Sequence, residues 1–207
     1  MSEPLVPVFD LGGVFLDWNP LYLFRKLFDS EEDAVWFHDT ICTLDWHNEF
    51  DSGRSFADGV AELVARHPRY WREITAYDVR WCETIVGVNA RMVAILDELA
   101  EADTPLFAIT NFSAEKFVSV VPDFPFLERF DGVVVSGVEK LVKPDPRIFK
   151  LFLERYGLAA DSCVFIDDSA LNVAAAQKVG MSALHFTDAD KLRGELIGLG
   201  LSLKAAK

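Results

Sequence analysis

Three short stretches share one pattern, and together they restrict the fold severely. Residues 8–15 read V-F-D-L-G-G-V-F, residues 107–111 read F-A-I-T-N, and residues 163–169 read C-V-F-I-D-D-S. Each is a run of apolar, β-prone residues that ends abruptly in polar ones. A strand that is apolar on both faces belongs inside a parallel sheet covered on both sides. Its carboxyl end is where open α/β sheets place the side chains of a site.

The segments between these runs fit that plan. Residues 5–9 are predicted as the first strand. Asn19-Pro20 then has the chemistry of a helix start. From there to about residue 86 the pattern predicts helices and no strand, over residues 21–28, 31–44, 56–66 and 70–85. Turns fall near Asp29-Ser30, Asp51-Ser52-Gly53 and His67-Pro68. All five tryptophans lie in or beside this segment, as core of a small helical unit or as walls of a pocket. After Asn89 helix and strand alternate. Helices are expected over 90–102, 113–121, 146–156 and 170–179, and strands over 106–109, 132–136, 164–166 and 183–186. Gly157 and Gly180 stand where helices should stop. Strands separated by helices imply right-handed βαβ units. The expected architecture is therefore α/β, a Rossmann-like parallel sheet with helices on both faces. Residues 1–17 and 88–207 would form this core, and residues 18–87 an inserted all-helical unit.

Composition narrows the partners. A net charge of −13 argues against nucleic acid and anionic membrane, both of which reward clustered Lys and Arg. No stretch approaches the roughly 20 apolar residues of a membrane span, and the amino terminus shows no basic leader. Cys42, Cys82 and Cys163 are odd in number and widely spaced, which suggests a reducing cytoplasm rather than a disulfide framework. His38 and Cys42 sit four apart on an expected helix, but two ligands do not make a zinc site.

The polar residues at the strand ends carry the chemistry. Asp10, Asp167 and Asp168 are carboxylates, Thr110 offers a hydroxyl and Asn111 an amide. Lys143 heads K-P-D-P-R-I-F just before an expected helix. Three carboxylates gathered at one sheet edge would repel one another strongly without a cation, so the clustering argues for bound metal. Mg²⁺ takes oxygen ligands in a near-octahedral shell, and an ammonium with hydroxyl and amide donors suits phosphate.

These four pieces, in this order and over nearly the whole chain, resemble the haloacid dehalogenase superfamily, most of whose members are Mg²⁺-dependent phosphatases with an aspartate nucleophile. The resemblance implies that Asp10 attacks phosphorus and forms an aspartyl-phosphate that water hydrolyses. It implies that Thr110, Asn111 and Lys143 hold the phosphoryl group, and that Asp10, the Gly12 carbonyl and one or both of Asp167 and Asp168 bind Mg²⁺. Asp168 is the favoured direct ligand. The helical insertion matches the small cap found over the sheet's mouth in this superfamily.

Gly12 departs from the commonest pattern, which has a second aspartate there to protonate the leaving oxygen. Losing that acid can cost about 10²–10⁴ in rate for a poor leaving group. Either the leaving group departs unassisted, or a cap residue or water supplies the proton, or the reaction is not phosphate transfer. Within the cap, His47, Glu49 and Asp51 are candidate acids, unless residues 45–51 form only a solvated loop. The leading expectation is a phosphatase of small phosphorylated metabolites, sugar phosphates among them, acting as monomer or homodimer. The same aspartate would serve a 2-haloacid dehalogenase, which needs neither metal nor acid. Dehalogenases resembling this chain carry Ser and Asn types at the Asp-Asp pair and a Tyr six residues after the lysine, where this chain has Phe149. A third reading, from another class, is a catalytically silent binding module.

Overall fold

The computed structural model describes residues 5–204. Its centre is a five-stranded, all-parallel sheet. The chain forms strand β1 (Val6–Phe9) and then a short β2 (Leu16–Trp18). Helices follow without interruption by a strand: α1 (Leu21–Phe24), α2 (Glu31–Thr40), α3 (Leu44–Asp51), α4 (Phe56–Arg66) and α5 (Trp71–Val79). Strand β3 (Ile85–Val88) runs back antiparallel to β2, so a two-stranded ribbon joins the helical insertion to the sheet. Next come α6 (Ala90–Glu101), β4 (Phe107–Thr110), α7 (Ala114–Val120), β5 (Gly132–Val135) and α8 (Ser136–Glu139). The chain continues with α9 (Pro146–Tyr156), β6 (Cys163–Asp167), α10 (Ala170–Lys178), β7 (Ser182–His185) and α11 (Ala189–Gly198).

The sheet order is β5-β4-β1-β6-β7. From β1 the chain builds outward on one side through β4 and β5, then returns to the other side for β6 and β7. The strand order therefore reverses at β1, and the crevice beyond its carboxyl end is the place such sheets reserve for a ligand. In-register pairing of Phe9 with Ala108 and with Ile166 brings the polar ends of β1, β4 and β6 level.

Strand side chains alternate between two cores. Val8, Phe107, Ile109, Val134 and Phe165 pack on one face with Ile148, Phe149 and Phe152 of α9. Phe9, Ala108, Val135 and Ile166 enter the other core, which continues into the insertion through Phe24, Phe37, Phe50, Phe56 and Tyr77. The aromatic residues of the insertion thus join its helices to the sheet domain as one apolar mass. Among the tryptophans Trp46 and Trp81 are buried, whereas Trp36 and Trp71 are exposed.

Local chemistry explains the element ends. Ser30, Thr43, Ser55, Asn89, Ser113, Asp145 and Asp188 each cap a helix by accepting from a backbone N–H two or three residues on. Gly157 ends α9 in the left-handed conformation, as expected. Four features differ from the sequence reading. The expected helix over 70–85 ends at Val79, and a 3₁₀ turn over Trp81–Thr84 leads into β3. The β2–β3 ribbon was not anticipated, because three or four residues are too few to show a period. The expected helix over 21–28 is regular only over Leu21–Phe24 and then turns. The expected helix over 31–44 divides at Ile41, and Thr43 starts a second one, so the polar stretch at 45–51 lies in a helix rather than a loop.

Candidate active site

Asp10 follows β1 directly, anchored by its N–H to the Ile166 carbonyl at 2.8 Å. Its carboxylate is almost completely buried. Oδ1 accepts from the Leu11 N–H at 2.7 Å and faces Lys143 Nζ at 2.8 Å, whereas Oδ2 makes no hydrogen bond among the described residues. Lys143 Nζ also lies 2.8 Å from Asp167 Oδ2, and its side chain is fully buried between the two acids. Asn111 fixes the lysine's position by clamping its backbone. Asn111 Oδ1 accepts from the Lys143 N–H at 2.8 Å, and Asn111 Nδ2 donates to the Lys143 carbonyl at 3.0 Å. Much of the Asn111 amide therefore serves to hold Lys143, leaving one Nδ2 hydrogen toward the cavity.

The two carboxylates that end β6 have opposite surroundings. Asp167 is saturated: Oδ1 accepts from the Ser169 N–H and from Asn172 Nδ2, and Oδ2 accepts from Asn172 and Lys143. The side chain of Asp168 is open to solvent and accepts no protein hydrogen bond, while its backbone carbonyl contacts His185 Nε2 at 2.8 Å. It lies over Gly13, where an added Cβ would sit 2.2 Å from Oδ2. Gly13 also has φ +73°, so the second glycine of the G-G pair is needed for both conformation and close approach.

Burial governs the electrostatics. It pushes the Asp10 carboxyl up to about 7, against the pull of Lys143, and Asp167 adds to the rise. Burial pulls the Lys143 ammonium down, but Asp10 and Asp167 more than offset it and the net shift is upward. Asp168 is raised by burial and then by Asp167. Oxygens of Asp10, Asp167 and Asp168 lie within 4.8 Å of one another, with one ammonium among three acids. Such a hard, all-oxygen donor set with excess negative charge fits Mg²⁺. Asp10 and Asp168 hold the oxygens that the protein leaves free. Thr110, ending β4, is completely buried and its Oγ1 has no partner.

Asp10, Asn111, Lys143 and Asp168 line the floor of a cavity of about 450 Å³, whereas Thr110 and Asp167 lie buried behind it. The insertion roofs it with Trp18, Leu44, His47, Asn48, Asp51 and Trp81. A hydrogen bond from Ser136 Oγ to the Asp51 carbonyl, 2.7 Å, ties this roof to the sheet domain, and the same oxygen accepts from the Phe112 N–H. Of the three candidate cap acids, His47 and Asp51 face the cavity and Glu49 does not. Residues four apart share a face of a helix, and a residue between them points away. Glu49 instead pairs with Arg54 on the exposed side. Gly12 lies on the wall, and a Cβ added there would meet nothing within 4 Å. Ser136 and Tyr77 were not readable as site residues. Asn172, just after the Asp pair, is readable from the sequence as a hydrogen-bonding support of this loop or as a cap of the next helix, and its Nδ2 donates to both Asp167 oxygens.

A family model for "Haloacid dehalogenase-like hydrolase" matches residues 51–186, more than half the chain, and the chain belongs to that hydrolase family. Among individual relatives, a sesquiterpene phosphatase of Aspergillus oryzae is 28% identical over 181 residues, covering 87% of this chain and 89% of that one. A flavin mononucleotide hydrolase of Arabidopsis thaliana is 30% identical over 56% of this chain and 47% of its own length. Among solved structures, a family enzyme of Bacteroides thetaiotaomicron, determined with magnesium and inorganic phosphate, superimposes with a TM-score of 0.71 at 22% identity, covering 89% of this chain and 94% of that one. A dehalogenase superimposes with a TM-score of 0.62 at 18% identity, covering 88% and 84%. The fold is common to both chemistries, so the choice between them rests on the site.

Proposed function

We propose that this protein is a Mg²⁺-dependent phosphatase of small phosphorylated metabolites, with Asp10 as nucleophile. The observation that carries the reading is the Asp10–Lys143–Asp167 network with unpaired Asp168 beside it, on the floor of a roofed cavity. A dehalogenase has no use for this excess of carboxylate. Phe149, where the dehalogenases resembling this chain carry a tyrosine, is buried against Phe165 in the core beneath the sheet and offers no hydroxyl.

The chain's own groups divide the work. Oδ2 of Asp10 is the free oxygen and attacks phosphorus, while Oδ1 is held by Lys143 and Leu11. Lys143, locked between two acids, offsets negative charge as it builds on the phosphoryl oxygens. The remaining Asn111 N–H is a donor at the end of β4 for a phosphoryl oxygen, and Thr110 Oγ1, buried just behind the cavity without a partner, is a second donor that would act once the floor opens to phosphate. Asp10, Asp168 and the Gly12 carbonyl would hold Mg²⁺, with Asp167 positioning Lys143. When bound, the ion supplies positive charge that lets the phosphate dianion approach the carboxylate. Trp18, Leu44 and Trp81 give the roof apolar walls, with His47, Asn48 and Asp51 as its polar points. That mixture suits an organic alcohol of metabolite size, including the sugar phosphates suggested by a 22% identical phosphorylated-carbohydrate phosphatase of Thermotoga maritima.

Cys42, Cys82 and Cys163 are unpaired, in keeping with a reducing cytoplasm as the proposed compartment. Among the described residues, no helix is long and apolar enough to cross a membrane. The proposed working form is a monomer or homodimer.

Hydrolysis of p-nitrophenyl phosphate, with and without Mg²⁺, tests the reading. Expected is metal-dependent turnover that Asp10→Asn abolishes. Absence of turnover with any divalent metal, together with halide release from 2-chloropropionate, would establish the dehalogenase instead.

A further inference from the structure

The cavity contains five titratable side chains: Asp10, Lys143, Asp168, His47 and Asp51. On the proposed function, on which this inference rests, Asp10 is the nucleophile, Lys143 is locked between two acids and Asp168 faces the metal. The leaving oxygen still needs a proton, and Gly12 cannot give one. We propose that His47, steered by Asp51 and Tyr77, is the proton donor to the leaving group.

His47 and Asp51 sit one turn apart on α3 and both are at least nine-tenths buried. The ring is fixed on three sides. Trp18 packs against it, tilted by 32°, at 4.8 Å between centroids, and the Tyr77 hydroxyl bonds Nδ1 at 2.8 Å. Nε2 lies 3.5 Å from Asp51 Oδ2, which orients it without a tight hydrogen bond. Tyr77 serves both protonation states, since its oxygen accepts from Nδ1–H and its O–H donates to bare Nδ1. Nε2 is therefore the nitrogen that exchanges the proton. Asp51 Oδ1 is buried with no partner at all, the mark of a group awaiting a ligand atom. The cap thus carries a histidine–carboxylate pair over a site whose floor lacks its acid.

The step balances. Asp10 Oδ2 bonds to phosphorus as the P–O bond to the alcohol breaks, and the departing oxygen takes the Nε2 proton from imidazolium. The products are aspartyl-phosphate, a neutral alcohol and neutral His47. In the second half, water attacks phosphorus and gives a proton to Nε2. This releases inorganic phosphate and restores the Asp10 carboxylate and the imidazolium.

A proton donor matters in proportion to how poor the leaving group is, whereas a structural residue affects all substrates alike. The test compares p-nitrophenyl phosphate with a simple alkyl phosphate in wild type, His47→Asn and Asp51→Asn. Expected for His47→Asn is a fall in kcat/KM, which reports expulsion of the alcohol, of about 10²-fold or more on the alkyl ester and less than about threefold on the aryl ester. Loss of the base that takes the proton from water lowers kcat on the aryl ester separately. Asp51→Asn should shift the ratio of kcat/KM values in the same direction by less. Equal losses of kcat/KM on both esters would overturn the proposal. Gly12→Asp placed in the His47→Asn background restores a carboxylic acid at the floor and should recover the alkyl ester selectively. If His47→Asn does not fold, wild type alone decides over a series of aryl and alkyl phosphates. A shallow dependence of kcat/KM on leaving-group pKa supports a donor, and a steep one overturns it. Failure of wild type on every ester would instead remove the phosphatase reading beneath it.

Discussion

Across the cavity, the sheet edge and the cap hold their polar groups in opposite ways. On the floor, Asp167 makes four hydrogen bonds and Lys143 makes two ion pairs, and the Lys143 backbone is clamped at both N–H and C=O. On the roof, among the described residues, Asp51 Oδ1 and the indole nitrogens of Trp18 and Trp81 are buried without partners, against Thr110 Oγ1 alone at the sheet edge. A saturated network is rigid and suits a reaction common to many substrates. Unmatched polar atoms are costly until something pairs with them, which suits a surface that selects one substrate body. On the proposed mechanism, this difference matches chemistry on the sheet with selection and proton supply on the cap.

The largest expected effect breaks the floor. Asp10→Asn abolishes turnover, and its stability effect carries a pH signature. The folded carboxyl is raised from its ordinary 3.8 to about 7. Below pH 4 both states are protonated. Between pH 4 and 7 only the unfolded chain ionises, so wild-type stability is lost as pH rises through this window. Without Mg²⁺, the stability of Asp10→Asn relative to wild type therefore increases from pH 4 to 7 and then levels, as thermal melts across pH will show. Next, Asn172→Ala removes two hydrogen bonds from buried Asp167. It should weaken Mg²⁺ binding by roughly 10–100-fold, read by titration calorimetry. Gly12→Asp sharpens the comparison by moving an acid from roof to floor. Space is open there, and the rate on alkyl phosphates should rise at least about tenfold with little change on aryl phosphates. The smallest effect is at the seam. Ser136→Ala loses the bond to the Asp51 carbonyl and should cost about 1 kcal/mol in denaturant unfolding, with KM rising more than kcat falls.

The same contrast explains what the sequence could show. Asp10, Thr110 and the Asp pair stand where apolar runs stop, so strand chemistry marks them directly, and Lys143 is marked by the capped helix after it. The roof is built from helix faces. His47 and Asp51 are one turn apart with Glu49 between them, and which of the three turns inward depends on how α3 lies over the sheet. That orientation is set by packing of Trp46, on the same helix, against Tyr77, about thirty residues on in the sequence. Tyr77 carries no local sign that its hydroxyl meets His47 thirty residues away. The β2–β3 ribbon pairs residues about seventy positions apart through strands too short to show alternation.

The central claim is that Asp10 becomes phosphorylated during turnover. Rapid acid quench during steady-state hydrolysis of p-nitrophenyl phosphate, followed by mass spectrometry of the Asp10 peptide, tests it most directly. The account predicts a phosphoryl group on Asp10 that requires Mg²⁺ and decays to inorganic phosphate at a rate consistent with kcat. An unmodified Asp10 during rapid turnover, or phosphate found on another residue, would contradict it.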